Sequence, residues 1–230
     1  MKTPYKPNQR GDEVKIQQSV LPFKLEVTRD TITAHSGLAL LGEFAIGMGF
    51  KEMLEKEMAA PGSGAGYKAS EHIFPLMLML NGGGRSLEDL REIREDSGLR
   101  ELLMMNRMPS SDATGDFLRR SGKNGGLEGL ARVNQQVLFR GMKRDGIEGY
   151  TLDIDATGIE AEKEAARMTY KGYTGYMPMV GHIAENGFIL GDEFREGNES
   201  PGSKNLEFIK YCVPFRRACV KTSERTDIMG

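Results

Sequence analysis

The word Thr151-Leu152-Asp153-Ile154-Asp155-Ala156-Thr157 sets two carboxylates two residues apart in a stretch that alternates polar and apolar. Side chains alternate across a β-strand, so Asp153 and Asp155 share one face while Leu152 and Ile154 pack behind it. Two carboxylates held together repel, and a site that keeps both ionised supplies a cation, or one of them takes up a proton. Oxygen-only donors of this kind suit Mg2+ or Mn2+. In two-metal phosphoryl transfer, carboxylates fixed on a rigid strand hold ions that activate an attacking oxygen and stabilise the leaving one. Asp-x-Asp is also a common word. On these two residues alone, capping backbone groups or pairing with Lys and Arg has the better claim.

The other reactive residue types form no comparable pattern. His35, His72 and His182 are scattered along the chain. Cys212 and Cys219 are separated by six residues with no second Cys/His pair nearby, which matches neither a zinc knuckle nor a redox pair, so they read as reduced thiols. Gly82-Gly83-Gly84 is not a phosphate loop, because no strand precedes it and no Gly-Lys-Ser/Thr follows.

The formal net charge of -2 does not advertise a nucleic-acid binder, but it hides an asymmetry. Residues 100–144 hold nine Arg/Lys and four Asp/Glu, a local charge of 9 - 4 = +5 that leaves -7 for the rest. Phosphate contacts need local Lys and Arg, so a DNA-facing surface belongs in this middle segment, with a solvated helical face as the plainer alternative. Hydrophobic residues at 39% and charged residues at 28% exclude disorder and give no sign of a membrane protein. The apolar run Ile73–Leu80 is too short to span a bilayer. Met1–Asp12 is polar and lacks the apolar core of a signal peptide, which points to a cytoplasmic protein.

The spacing of apolar residues then predicts the elements that must position these groups. Phe23–Ala34 reads as two short strands around a turn, and Leu38–Met58 as helical, divided near Gly47 and Gly49. Pro61–Gly66 is a linker. Ala69–Leu80 is a buried helix in which Pro75 demands a kink or a place near the first turn. Ser86 caps a helix from Leu87 to about Glu95, and a short helix covers Leu99–Met105. Pro109-Ser110-Ser111 starts a helix that runs through Arg119 and Arg120, and Leu127–Lys143 forms a longer one. After Gly149 the texture changes to strands around Asp153, over Met177–Ile183 and over Gly187–Phe194, the last two joined at Glu185-Asn186-Gly187, before a helix begins at Leu206. A helical front joined to a strand-rich α/β body follows.

The words Leu152-Asp153-Ile154-Asp155-Ala156-Thr157, Tyr170-Lys171-Gly172-Tyr173-Thr174-Gly175-Tyr176-Met177-Pro178-Met179, and Glu193-Phe194-Arg195-Glu196-Gly197-Asn198 followed by Ser200-Pro201 stand in order. In order and spacing over about Gly149 to Tyr211 they resemble the DDE transposases of bacterial insertion sequences, in particular the thirteen-eighty group. The resemblance is weaker from Phe23 onward. It implies an α+β or α/β chain: a helical N-terminal DNA-binding region (residues 1–148) followed by the first part of an RNase-H-like mixed sheet (149–212). The family's Asp-x-Thr word falls on Asp155-Ala156-Thr157, so Asp155 is the implied first catalytic, metal-binding carboxylate, with Asp153 a weaker candidate beside it. The implied reaction is Mg2+- or Mn2+-dependent nicking at transposon ends, followed by attack of the freed 3′ hydroxyl on target DNA. The implied partner is double-stranded DNA carrying terminal inverted repeats, bound by a homo-oligomer, with no membrane involved.

Arg119, Arg120 and Lys123 are the DNA-contact candidates of the front region, and a helix-turn-helix fits there. Lys171 and Arg195, in the family-like words, are candidates for phosphate contacts. Tyr170, Tyr173 and Tyr176 either stack on bases or pack. Three functions compete: a transposase, a remnant that recognises transposon ends without cutting, and, least favoured, a host RNase-H-like nuclease.

The acidic triad separates the first two functions, since such enzymes need a second Asp and a distant Glu. Arg225-Thr226-Asp227 resembles the word around the second aspartate, but Pro214 interrupts the helix before it and no apolar strand leads into Asp227. A permitted codon string for Lys221–Asp227, shifted in frame, spells Asn-Phe-Arg-Ala-Asp-Arg, which contains the family word. A frameshifted tail over 213–230 is therefore expected, with a chain that binds DNA but does not transpose it alone.

Overall fold

The computed structural model describes residues 29–62, 64–146 and 149–213. The chain divides into a unit spanning Met1–Ile32 and another spanning Thr33–Gly230. Residues 29–34 carry no strand, and the rest of the strand pair expected over Phe23–Ala34 lies outside the described residues, as do Asp227 and Cys219.

Glycine sets the first break of the helical part. α1 (Ser36–Gly47) and α2 (Phe50–Glu57) are separated at Gly49, whose φ of 71° is a left-handed conformation that a side chain resists. α3 (Ala69–Asn81) continues through Pro75, which lies beyond its first turn. The missing N–H of a mid-helix proline costs about 3 kcal/mol, and α3 offsets it by burying Ile73, Phe74, Leu78 and Met79. A short 3-10 turn (Leu87–Asp89) leads into α4 (Leu90–Glu95), and α5 (Ser97–Leu102) starts where Asp96 Oδ1 accepts from the N–H of Leu99 at 2.8 Å. α6 (Ser111–Lys123) begins as the sequence predicts, with Ser110 Oγ accepting from Ala113 N–H at 3.2 Å. α7 (Gly126–Asp145) follows.

The second half is built on one long β-ribbon. β1 (Leu152–Ala156) pairs antiparallel with β5 (Met179–Ile183), and β5 with β6 (Ile189–Glu193). A smaller sheet has β2 (Ile159–Glu160) and β3 (Arg167–Met168) on either side of β4 (Thr174–Tyr176). The two sheets are successive stretches of the same ladder. Asp155 faces Val180, Thr157 N–H donates to Pro178 C=O at 2.9 Å, and Ile159 faces Tyr176, all in unbroken register. The other edge continues likewise, with Met177 N–H donating to Arg195 C=O at 3.0 Å and Tyr176 bridging Glu196.

Every strand pairing among the described residues is antiparallel. Parallel pairing needs a crossover connection of a dozen or more residues, whereas these strands are joined by turns and by the β2–β4 excursion.

α8 (Asn205–Cys212) packs on the inner side of the sheet. It sits there because Gly181 and Gly191, facing each other on β5 and β6, leave the space that Phe208, Tyr211 and Cys212 occupy. α7 serves two cores. Its Val133 joins Leu54, Ile73 and Phe117, while its Leu138 and Met142 join Met177, Met179, Ile183, Leu190 and Phe208 beneath the sheet. The compact unit therefore continues across residue 148.

Candidate functional site

The inner side of β1, Leu152, Ile154 and Ala156, belongs to the core beneath the sheet, which leaves Asp153 and Asp155 exposed on the outer side. Across the ladder Asp153 stands opposite His182, and Asp155 opposite Val180, which in turn faces Asp192. Asp153 Oδ2 is 3.7 Å from His182 Nε2, with the two side chains 60% and 35% exposed. At that exposure the pair contributes little to stability. The outer face thus carries three carboxylates and one imidazole on three neighbouring strands. The sequence alone named two of them. His182 and Asp192 were hidden because their faces depend on register, although the Asn186-Gly187 turn that fixes the pairing was visible: Gly187 has φ of 73°, and its N–H donates to Ile183 C=O at 2.8 Å.

Asp155 and Asp153 offer the oxygen donors that Mg2+ or Mn2+ prefers. They do not close a ligand set by themselves. Among the described residues, no three His, Cys, Asp or Glu side chains stand close enough together to hold one ion.

The basic candidates fall in three different settings. Arg119, Arg120 and Lys123 are exposed on the last turns of α6, and Arg119 Nη2 lies 2.6 Å from Asp116 Oδ1. α6 packs on α7, and α7 in turn on β6. Lys171 is exposed in the turn between β3 and β4, its Nζ 5.7 Å from the centre of the Tyr170 ring. Arg195 is not available as a phosphate contact, which corrects that expectation. Its side chain is 1% exposed, Nε and Nη2 donate to Glu193 Oε2 at 3.1 and 2.7 Å, and Nη1 donates to Ser203 C=O at 2.8 Å and Asn205 Oδ1 at 3.4 Å. This guanidinium ties the end of β6 to the start of α8.

Of the tyrosines, Tyr173 is packed, its hydroxyl 3.8 Å from Met177 Sδ, whereas Tyr170 is exposed. The histidines of the helical part have structural partners. His35 Nδ1 lies 2.9 Å from Asp96 Oδ2. His72 is buried, stacked on Phe117 at 4.2 Å and 3.3 Å from Thr114 Oγ1, at the edge of a cavity of about 630 Å³ between α6 and the chain following α2. Burial, and then the charge of Arg120, push its imidazole down to about 4. It is neutral at physiological pH.

The chain matches no family model, no curated protein and no solved structure. No helix among the described residues is long and apolar enough to cross a membrane.

Proposed function

We propose that the chain carries the helical front and the first catalytic strands of a DDE-type transposase of a bacterial insertion sequence, an enzyme that acts on the terminal inverted repeats of double-stranded DNA as a homo-oligomer, with Asp155 as its first metal-binding carboxylate. The observation that carries this reading is the position of Asp155. It lies in an Asp-Ala-Thr word on the first strand of the sheet, exposed on the side opposite the helices, while its strand neighbours are locked into the core. Three antiparallel strands followed by a helix on their inner side also agree with the opening portion of an RNase-H-like fold.

Bound Mg2+ or Mn2+ would supply activation of the attacking water or 3′ hydroxyl and stabilisation of the leaving oxygen. The part played by the chain is to hold the Asp155 carboxylate immobile and open to solvent. Asp153, next to His182, is the weaker candidate for a second ligand.

One observation favours a second reading, a protein that recognises transposon ends without cutting them: the described residues bring together no set of three ligands. Both readings are tested by incubating the chain and Asp155→Ala with end-labelled duplex carrying the ends of its element, with Mg2+ or Mn2+. A nick at the element boundary that disappears in Asp155→Ala supports the enzyme. Preferential binding of the terminal repeats with no nick supports the second reading. Equal affinity for repeats and scrambled duplex overturns both.

A further inference from the structure

Several arginines of the helical part are neutralised by a carboxylate. Arg91 lies 3.2 Å from Glu95, Arg119 2.6 Å from Asp116 and Arg132 2.7 Å from Glu57. Arg94, Arg100 and Arg107 are held differently. They line one cleft of about 380 Å³ together with Tyr67, Asn106 and Met108, and no carboxylate forms part of its wall. The end of α5 builds this cleft. Met104, at φ of 51°, turns the chain out of the helix, and Met105 N–H donates to Arg100 C=O at 2.8 Å. That turn returns Asn106 and Arg107 to the side of Arg100.

Neutral groups fix the guanidiniums without cancelling their charge. Arg100 Nε donates to Met105 C=O at 3.4 Å and Nη1 to Arg94 C=O at 3.1 Å. Arg107 Nη2 donates to Ala65 C=O at 3.0 Å, and its guanidinium lies 4.7 Å from the centre of the Tyr67 ring. Glu71 Oε1 stands 3.8 Å from Arg107 Nε, beyond hydrogen-bond distance, while Glu71 Oε2 accepts from Lys68 N–H at the start of α3. Among the described residues, neither the Arg94 guanidinium nor the Asn106 side-chain amide has a partner. The acidic residues that follow Arg94 are engaged elsewhere, Glu95 with Arg91 and Asp96 with His35.

Three guanidiniums around one cleft repel one another, and an anion that accepts from several of them relieves the repulsion. Their planar forks suit phosphate oxygens. We infer that this cleft binds a backbone phosphate of duplex DNA, an inference that rests on the transposase reading for the choice of DNA as the polyanion. Tyr67 also lines the neighbouring cavity beside His72, whose wall includes Arg120. The cleft and Arg120 thus lie along one track, which a chain of phosphates can follow and a single phosphate ion cannot. Contacts of this kind hold the backbone and read no bases.

The test measures the affinity of the whole chain for duplex DNA by anisotropy over a range of salt concentrations. Arg94→Gln removes a cation that no protein group uses, and Arg94→Gln/Arg107→Gln removes two. Arg91→Gln makes the same change of net charge outside the cleft. Thermal melts verify that all three variants are folded. Arg94→Gln is expected to weaken binding about five- to tenfold, equally for terminal repeats and scrambled duplex, and to lower the salt slope by about one, and the double variant to lower it by about two. Arg91→Gln is expected to leave the slope unchanged. A slope that survives the double substitution, or falls as far in Arg91→Gln, overturns the cleft and leaves the transposase reading standing. If millimolar inorganic phosphate raises the Tm of wild type but not of Arg94→Gln, while both bind duplex equally, the cleft takes a free phosphate and the inference is wrong. Slopes that fall as expected with equal affinity for repeats and scrambled duplex support the cleft and remove the transposase reading. No binding of any duplex by wild type overturns both.

Discussion

Arg195 separates two accounts of one conspicuous cation, and Arg195→Met is the change that does so. Methionine keeps an unbranched apolar stem near Phe208 but removes every donor. Glu193 then loses two charge-assisted bonds, and Ser203 C=O and Asn205 Oδ1 lose their shared donor. Breaking a fully buried ion pair costs about 3–5 kcal/mol. Here the Glu193 side chain is 37% exposed and can rehydrate, so the lower end, about 3 kcal/mol, is expected. For a chain of this size that corresponds to a fall in Tm of roughly 6–12 °C. The assay is a thermal melt together with the salt dependence of DNA affinity at a temperature where both proteins are folded. A large fall in Tm with an unchanged salt slope is predicted. An unchanged Tm with a salt slope reduced by about one would return Arg195 to the phosphate contacts.

Burial and the charge of Arg120 hold His72 at about 4 in the folded chain, against about 6.5 when unfolded. Its contribution is therefore complete above pH 6.5 and is lost as pH falls toward 4, by about 2 kcal/mol between pH 7 and pH 5. Urea titrations should show wild type losing that much more than His72→Phe over this interval, and parallel losses would contradict the assignment. At Gly181 a Cβ would sit 2.9 Å from Cys212 Sγ, so Gly181→Val should destabilise by about 2–3 kcal/mol. By contrast Gly122, inside α6 with open space around it, should tolerate Gly122→Ala with a gain of about 0.5–1 kcal/mol. Chemical denaturation measures both, and a Gly181→Val protein as stable as wild type would show that α8 does not press on the sheet as described.

The chemistry of β1 was legible because it needs only a period of two. Apolar Leu152 and Ile154 dictate which side is buried, and the aspartates follow. The break at Gly49 and the start of α6 were legible for similarly local reasons, a left-handed glycine and a serine cap. What was hidden depends on contacts distant in sequence. Strands β2 and β3 are two residues long, too short to show a period, and exist because β4 pairs with both. The family-like word around Arg195 gives no sign that Ser203 and Asn205 fold back to accept its donors. Pro75 sits inside α3 past its first turn, where the burial of the surrounding helix outweighs one missing bond. The exposure of Phe194 beside the carboxylate face also needs the register, which no single stretch contains.

Binding of the divalent ion by the Asp155 carboxylate can be tested with Mn2+ on the whole chain. Paramagnetic broadening of backbone amide signals, followed as Mn2+ is added, locates the ion on the ribbon. The amides of Ile154, Asp155, Ala156 and Val180 are expected to broaden first, and Asp155→Asn is expected to abolish this while leaving the spectrum otherwise folded. Broadening centred elsewhere, or broadening at β1 that survives Asp155→Asn, would contradict binding at Asp155.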